Sequence, residues 1–507
     1  MLVQMVMARA DGKGRSRMLL HKLLRLIDPR LSLAGIPDVE VSGICEDSRR
    51  VCAGSLFVAR AGTKTDGARF IADAAARGAV AVVTNQKVAG SPLPQIVLPD
   101  PAKAASVLAN LFHRSPGSQM YVFGMTGTNG KTTSAYIVRH LLSKFGMRCG
   151  MIGTVEIDDG RNRREAEMTT PAACDIAEML GTMRDRGCRA AVMETSSHAL
   201  DQGRVAGVPF SGAAFTNLTG EHLDYHGTME KYAAAKAQLF AQLDPEAVAV
   251  INDDSKYADR MIQDCPSRII RFGTSKRADY RARDVEISSD GTRFQLITPD
   301  GKADVHMQLI GRHNIENVLA AAALVGEVCA MSVNQIALAL RDATGAPGRL
   351  EPVRAGQPFS VLVDYAHTDD ALENVLSALR PLTKGRLRVL FGCGGDRDRT
   401  KRPRMAKVAE KYADAIYVTS DNPRTERPQI IIDEILTGFG RAGKMLRVET
   451  DRRLAIEQAL MDAEAGDVVL LAGKGHEKYQ ILGTEKHHFD DVEEATRVLN
   501  RKMTAAA

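Results

Sequence analysis

The chain has 507 residues and a formal net charge of +5, from 67 Lys and Arg against 62 Asp and Glu. So small a charge on scattered basic residues points to neither nucleic-acid nor membrane binding, and no apolar run reaches membrane-spanning length. Eight cysteines without metal-ligand spacing read as reduced thiols of a cytoplasmic protein, and the length corresponds to three domains at roughly 150 residues each.

In residues 1–17 the positive charges follow the mildly apolar part, the reverse of a secretion signal, so this stretch reads as a loose tail. Over residues 39–99 short strands, such as 55–59, alternate with helical stretches, such as 70–77. They form an α/β unit assigned to 18–117, ending near Ser115-Pro116-Gly117. A buried strand is predicted at 120–123 and a helix at 134–145. Further strands at 190–193, 212–216 and 247–251 continue a second unit over 118–347. A break at Ala346-Pro347-Gly348 opens a third unit over 348–507, with strands at 360–363, 387–391, 415–418 and 467–471. The alternation predicts an α/β chain with mostly parallel sheets covered on both faces. Asp364, Asp396, Asp421 and Lys474 follow the third unit's strands, at the ends where open α/β sheets bind ligands.

The loop Gly124-Met125-Thr126-Gly127-Thr128-Asn129-Gly130-Lys131-Thr132-Thr133 lies between a strand and a helix, the setting of a phosphate loop. Glycines let backbone N–H groups approach anionic oxygens, and the helix N-terminus adds partial positive charge. Lys131 would reach the terminal phosphates of a nucleoside triphosphate, and Thr132 would hold magnesium. The common pattern would place its first glycine at Met125; here Gly124 and Gly127 stand instead, which makes this a variant loop. The bland alternative is a tight turn before a surface lysine.

Glu194, in Glu194-Thr195-Ser196-Ser197-His198, ends a strand and could face a magnesium ion beside Thr132; alone it is equally an ordinary polar strand end. The histidines of the loop from Thr216 to His226 could be ligands, bases or helix caps. Two later loops, Gly392-Cys393-Gly394-Gly395-Asp396-Arg397-Asp398-Arg399 and Asp421-Asn422-Pro423-Arg424, set arginine beside acidic groups. That composition suits the carboxylate and ammonium of an amino acid, or a solvated salt-bridge cluster.

Together these strings resemble the Mur ligase family, and the resemblance spans nearly the whole chain. It also rests on Thr169-Thr170-Pro171, Gly311-Arg312-His313-Asn314-Ile315-Glu316-Asn317, Gly348-Arg349-Leu350-Glu351, Asp364-Tyr365-Ala366-His367 and Gly473-Lys474-Gly475-His476-Glu477. It implies a UDP-binding N-terminal domain, a central ATPase domain and a Rossmann-like C-terminal domain, with closure over ATP. The implied reaction is ATP-dependent addition of meso-2,6-diaminopimelate to UDP-N-acetylmuramoyl-L-alanyl-D-glutamate through an acyl phosphate, in peptidoglycan precursor synthesis. A monomer using ATP and magnesium is implied.

By the same resemblance Glu46, Ser48, Thr63, Lys64 and Thr65 contact the uridine end. Thr169, Thr170, Ser196, Gln202 and Arg204 hold the pyrophosphate and peptide arm. Gly127 to Thr133, including Thr128, Asn129, Gly130, Lys131 and Thr132, bind ATP with Asn314, Asn317, Arg349 and Asp364. Arg397, Asp421, Asn422, Pro423, Arg424, Gly473 and Glu477 form the diaminopimelate site. Lys236 matches a lysine carbamylated by carbon dioxide, which with His222 and Glu194 would hold a second magnesium besides the one at Thr132 and Glu194; a site that lowers its pKa would favour the reactive neutral amine. Arg424 sets the substrate, because lysine has no distal carboxylate to pair with it. Three departures are Met168 for an asparagine before the threonine pair, Asp369 for a proline, and the N-terminal extension. Rival readings are a ligase of the same fold adding lysine or resembling folylpolyglutamate synthetase, a kinase, and an ATP-switched binding protein.

Overall fold

The computed structural model describes residues 17–62, 65–288, 291–440 and 445–506; the expected tail up to residue 16 and the expected uridine contacts Thr63 and Lys64 lie outside them. The chain divides into two compact units. One comprises residues up to Ala282 with Leu296–Ala303 and Glu316–Ala339, the other Arg283–Gln295, Asp304–Ile315 and the chain from Leu340 onward.

In the first unit, strands β1 (Gly43–Cys45), β2 (Ser55–Val58), β3 (Ala81–Thr84) and β4 (Gln95–Val97) form a parallel sheet. Leu56 and Val58 pack on one face with Leu23, Leu24 and Leu108, while Phe57 packs on the other with Ile71 and Leu93. Burial on both faces is what an unbroken apolar run in a strand signals.

A larger sheet follows, built from β5 (Tyr121–Thr126), β6 (Cys149–Ile152), β7 (Glu156–Asp158), β8 (Arg163–Glu165), β9 (Ala190–Glu194), β10 (Gly212–Phe215), β11 (Val248–Asn252) and β12 (Arg268–Phe272), in the order β8-β7-β6-β9-β5-β10-β11-β12. Its strands are parallel apart from β7 and β8, which run antiparallel to their neighbours. Chain order turns at β5, with β6 and β9 to one side and β10 to β12 to the other. The loops after β5, β9 and β10 therefore open at a topological switch point, the usual ligand position in such sheets. Helices α1 (Lys131–Lys144), α2 (Ala173–Asp185) and α3 (Met229–Ala241) pack against it. The helix expected at 134–145 starts three residues earlier because Gly130, with φ +86°, caps it and brings Lys131 into the first turn.

The second unit holds β13 (Glu351–Pro352), β14 (Ser360–Asp364), β15 (Leu387–Phe391), β16 (Ala415–Val418), β17 (Met445–Val448) and β18 (Val468–Ala472), ordered β13-β14-β18-β15-β16-β17 and parallel except for β13. Helices α4 (Asp369–Leu379), α5 (Lys401–Tyr412), α6 (Pro428–Leu436), α7 (Arg452–Met461) and α8 (Asp491–Ala506) accompany it. Beneath the loops that end β16 and β18, Arg452 and Asp491 form a fully buried pair at 2.6 and 2.8 Å. Arg452 also donates to Ala472 O at 3.0 Å. Leaving either charge unpaired there would cost roughly 3–5 kcal/mol. The predicted α/β class and mostly parallel sheets are borne out, and every predicted strand overlaps an observed one. Among the described residues no helix is long and apolar enough to cross a membrane.

Candidate active site

The loop from Gly124 to Thr133 is set by close packing. At Gly127, φ +150°, a Cβ would collide with Thr216 Oγ1; at Gly130 it would collide with Asn317 Oδ1. Thr128 N donates to Asn217 O at 2.9 Å, Asn129 N to Asn217 Oδ1 at 2.9 Å, and Thr216 Oγ1 to Asn129 O at 2.6 Å. The loop after β10 thus holds the loop after β5 in shape. Lys131 folds back, donating to Gly127 O at 3.0 Å and Thr128 O at 2.7 Å. Thr133 is buried on the first turn of α1.

Glu194 is 1% exposed at the end of β9, and Thr132 Oγ1 donates to its carboxylate at 2.8 Å. Thr154 adds bonds from N at 2.8 Å and Oγ1 at 3.0 Å. The sequence-expected pair is therefore brought together as a buried hydroxyl and carboxylate, a donor set that fits a hard cation such as magnesium. Among the described residues no cluster of three His, Cys, Asp or Glu side chains is placed to hold a metal. Phosphate and water oxygens would have to complete such a shell.

Lys236 is 1% exposed, and its Nζ donates to Gly127 O at 2.8 Å while lying 4.7 Å from the Tyr232 ring centre. Helix α3 puts it there: Thr228 caps the first turn, and Tyr232, Lys236 and Phe240 fall four residues apart on the buried face. Burial first, then repulsion from Lys131, push the Lys236 ammonium well below the ordinary lysine range, favouring the neutral amine. His222 sits at φ +58°, 3.8 Å from Glu221, with its side chain 44% accessible, and partial desolvation of its ring lowers its pKa. Its ring lies 5.0 Å from that of His198 and 6.1 Å from that of Tyr232.

Next to β9, Thr170 Oγ1 donates to Glu194 O at 2.8 Å and accepts from Ser196 N at 3.0 Å. Thr154 Oγ1, which donates to Glu194, accepts from Thr169 Oγ1 at 3.1 Å. Arg204 donates to Thr170 O and to Gln202 Oε1, both at 2.7 Å, and touches Met168 Sδ at 3.6 Å. The five expected arm contacts are thus one connected patch. Glu46 pairs with Arg60 at 2.7 Å, Ser48 is buried at the start of a short turn, and Thr65 is exposed. Asn317 lies against Gly130 and accepts from Ser134 Oγ at 3.3 Å, while Asn314 donates to Ile310 O at 2.8 Å.

In the second unit Asp364 ends β14. Its carboxylate accepts from Leu350 N and Ala366 N, each at 2.8 Å, and burial raises its pKa against the opposing pull of Arg349. The Arg349 guanidinium lies over the Tyr365 ring at 5.0 Å. Gly473 N donates to Asp364 O at 3.0 Å. Asn422 Nδ2 donates to Glu477 at 2.8 Å, and Lys474 reaches both Asn422 Oδ1 at 3.2 Å and Glu477 at 3.3 Å. Burial raises the Glu477 pKa, with Lys474 opposing. Gln480 donates to the backbone of Asp421 at 2.7 Å. Pro423 is buried, and Arg424 Nη1 donates to Gly395 O at 2.9 Å. Arg397 is exposed, with Nη1 3.3 Å from Asp396 O.

Three family models cover most of this chain: Mur ligase family, catalytic domain at residues 40–113, Mur ligase middle domain at 125–325, and Mur ligase, glutamate ligase domain at 348–475. The chain belongs to the Mur ligase family. This Mur ligase is 45% identical over 469 residues to the UDP-N-acetylmuramoyl-L-alanyl-D-glutamate–2,6-diaminopimelate ligase of Thermosynechococcus vestitus, covering 92% of this chain and 94% of the relative. It is 42% identical to the enzyme of the same name from Bacillus cereus, covering 92% and 95%. A solved ligase of that name superposes with a TM-score of 0.71 at 34% identity, over 94% of this chain and 99% of the other.

Several residues that shape the sites of this Mur ligase escaped the sequence reading. Tyr232 shares a hydrogen bond of 3.2 Å with Thr128 and underlies Lys236. Lys474, present in a strand end and in a motif of the resemblance but given no role there, bridges the Asn422 and Glu477 side chains. Arg402 and Arg452, fully buried, had no signal at all, since an arginine in a polar stretch normally reads as surface.

Proposed function

We propose that this Mur ligase is a monomeric cytoplasmic enzyme that uses ATP to join meso-2,6-diaminopimelate to the D-glutamate side carboxylate of UDP-N-acetylmuramoyl-L-alanyl-D-glutamate, a step of peptidoglycan precursor synthesis. The observation that carries the reading is the Arg424 loop, braced within a chain 42–45% identical to ligases of that name. The division into 18–117, 118–347 and 348–507 is supported by the spans of the three family models.

In the proposed reaction the glutamate carboxylate oxygen attacks the γ-phosphorus of ATP and ADP leaves. The diaminopimelate amine then adds to the acyl-phosphate carbon, and inorganic phosphate departs with the attacking oxygen. No protein nucleophile is needed, so the protein's work is positioning and charge neutralisation. The Gly127–Thr133 loop would take the phosphates on its N–H groups, with Lys131 turning from the Gly127 and Thr128 carbonyls to the γ-phosphate. Asn314, Asn317, Arg349 and Asp364 would serve the rest of the nucleotide. Thr169, Thr170, Ser196, Gln202 and Arg204 would hold the pyrophosphate and peptide arm, and Glu46, Ser48 and residues 63–65 the uridine end.

Thr132 and Glu194 would hold one magnesium, and a carbamylated Lys236 with His222 and Glu194 a second; when bound, magnesium neutralises phosphate charge. Carbamylation joins the neutral Lys236 nitrogen to carbon dioxide with loss of a proton. It turns a buried cation beside Lys131 into an anion, which the low Lys236 pKa favours. The diaminopimelate site would comprise Arg397, Asp421, Asn422, Pro423, Arg424, Gly473 and Glu477.

The acyl-phosphate route has an isotopic signature. With UDP-dipeptide labelled by oxygen-18 in the glutamate side carboxylate, released phosphate is expected to carry one label per turnover by mass spectrometry. Unlabelled phosphate would contradict the route, and phosphate retained on the substrate would indicate a kinase.

A further inference from the structure

The two arginine-bearing loops of the second unit are tied together from below by a residue that makes no contact expected of a substrate. Arg402, on α5, is fully buried. Its Nη1 donates to Glu426 at 3.0 Å and Glu434 at 2.7 Å, and its Nη2 to Glu426 at 2.8 Å and to Gly394 O at 3.4 Å. Only its buried Nε lacks a partner. Glu426 in turn accepts from Asp396 N at 2.7 Å, and its hydrogen bond from Arg402 holds its pKa down at about 2. Asp396 accepts from Thr425 Oγ1 at 2.8 Å and Thr425 N at 3.2 Å. Gly395 N donates to Asn422 O at 2.9 Å, and Arg424 Nη1 returns to Gly395 O at 2.9 Å. Asp396 and Arg424 both sit at positive φ, +55° and +51°, conformations that residues with a Cβ hold only where surrounding bonds over-determine them.

We propose that Arg402 is a positioning residue that sets the Arg424 guanidinium, and through it the preference for an amino acid with a distal carboxylate. The inference rests on the diaminopimelate reading above. Removing the Arg402 charge releases Glu426, frees Asp396 N and loosens the loop carbonyl that Arg424 grips. An error of an ångström in a clamp is worth about a hundredfold in rate when it reaches the reacting groups.

Arg402→Met, close in length but uncharged, is the test, read by steady-state kinetics in all three substrates. KM for diaminopimelate is expected to rise roughly tenfold or more, and preference over lysine in kcat/KM to narrow, with KM for ATP and UDP-dipeptide within about twofold of wild type. Arg402→Lys is expected to recover part of the loss. Should Arg402→Met fail to fold, Thr425→Val removes the exposed hydroxyl bond to Asp396 and is expected to shift the same KM in the same direction by about threefold. An unchanged diaminopimelate KM, or a fall in kcat alone, would overturn the proposal. A wild-type enzyme that ignores diaminopimelate would instead defeat the functional reading and this inference with it.

Discussion

Lys131→Ala is expected to cut turnover by roughly a thousandfold or more while leaving the fold intact. The Lys131 side chain is half-buried, and two of its hydrogen bonds go to carbonyls of its own loop. Deleting them costs stability only on the order of 1 kcal/mol each, against a loop already shaped by Asn217, Thr216 and the glycine packing at Asn317. The catalytic loss has another origin. In the proposed reaction two anions, a carboxylate and a triphosphate, must approach within bonding distance, and the Lys131 ammonium would offset their repulsion. Phosphate release should fall to background while circular dichroism and the melting temperature stay near wild type. Near-normal phosphate release would refute the assignment of the loop.

Arg424→Ala should damage recognition of one substrate only. The Arg424 backbone is fixed on both sides, its N donating to Ile481 O at 3.1 Å and its O accepting from Gly483 N at 2.9 Å. Among the described residues its guanidinium is engaged through Nη1 alone, with Gly395 O and Asn422 O, which leaves Nε and Nη2 as a fork for a carboxylate. A charge-assisted pair of this kind is worth about 2–3 kcal/mol, so kcat/KM for diaminopimelate should drop roughly thirty- to two-hundredfold. Lysine offers nothing to that fork, and its turnover should change little. Equal losses on ATP and on both amino acids would mean that Arg424 supports the fold and does not select the substrate.

The central strands and the phosphate loop were legible in the sequence because burial on both sheet faces leaves unbroken apolar runs, and because glycines, lysine and threonine stand between a strand and a helix. The β7–β8 hairpin was not legible: Glu156-Ile157-Asp158 and Arg163-Arg164-Glu165 are short and highly charged, and their pairing comes from backbone bonds and arginine–carboxylate contacts such as Arg163 to Asp158 at 3.0 Å. Lys236 entered the site only by resemblance, although its spacing from Tyr232 and Phe240 does place it on the apolar face of α3. The alanines around it masked that signal. The buried Arg402 and Arg452 were beyond reach, since their partners Glu426, Glu434 and Asp491 lie 24 to 39 residues away along the chain, and sequence patterns report local order better than distant pairing.

Phosphate release reads out the choice of amino acid. With ATP, magnesium and UDP-N-acetylmuramoyl-L-alanyl-D-glutamate present, meso-diaminopimelate is expected to trigger release and a product heavier by one diaminopimelate residue, whereas L-lysine leaves release at background. Turnover with lysine and none with diaminopimelate would refute the assigned substrate.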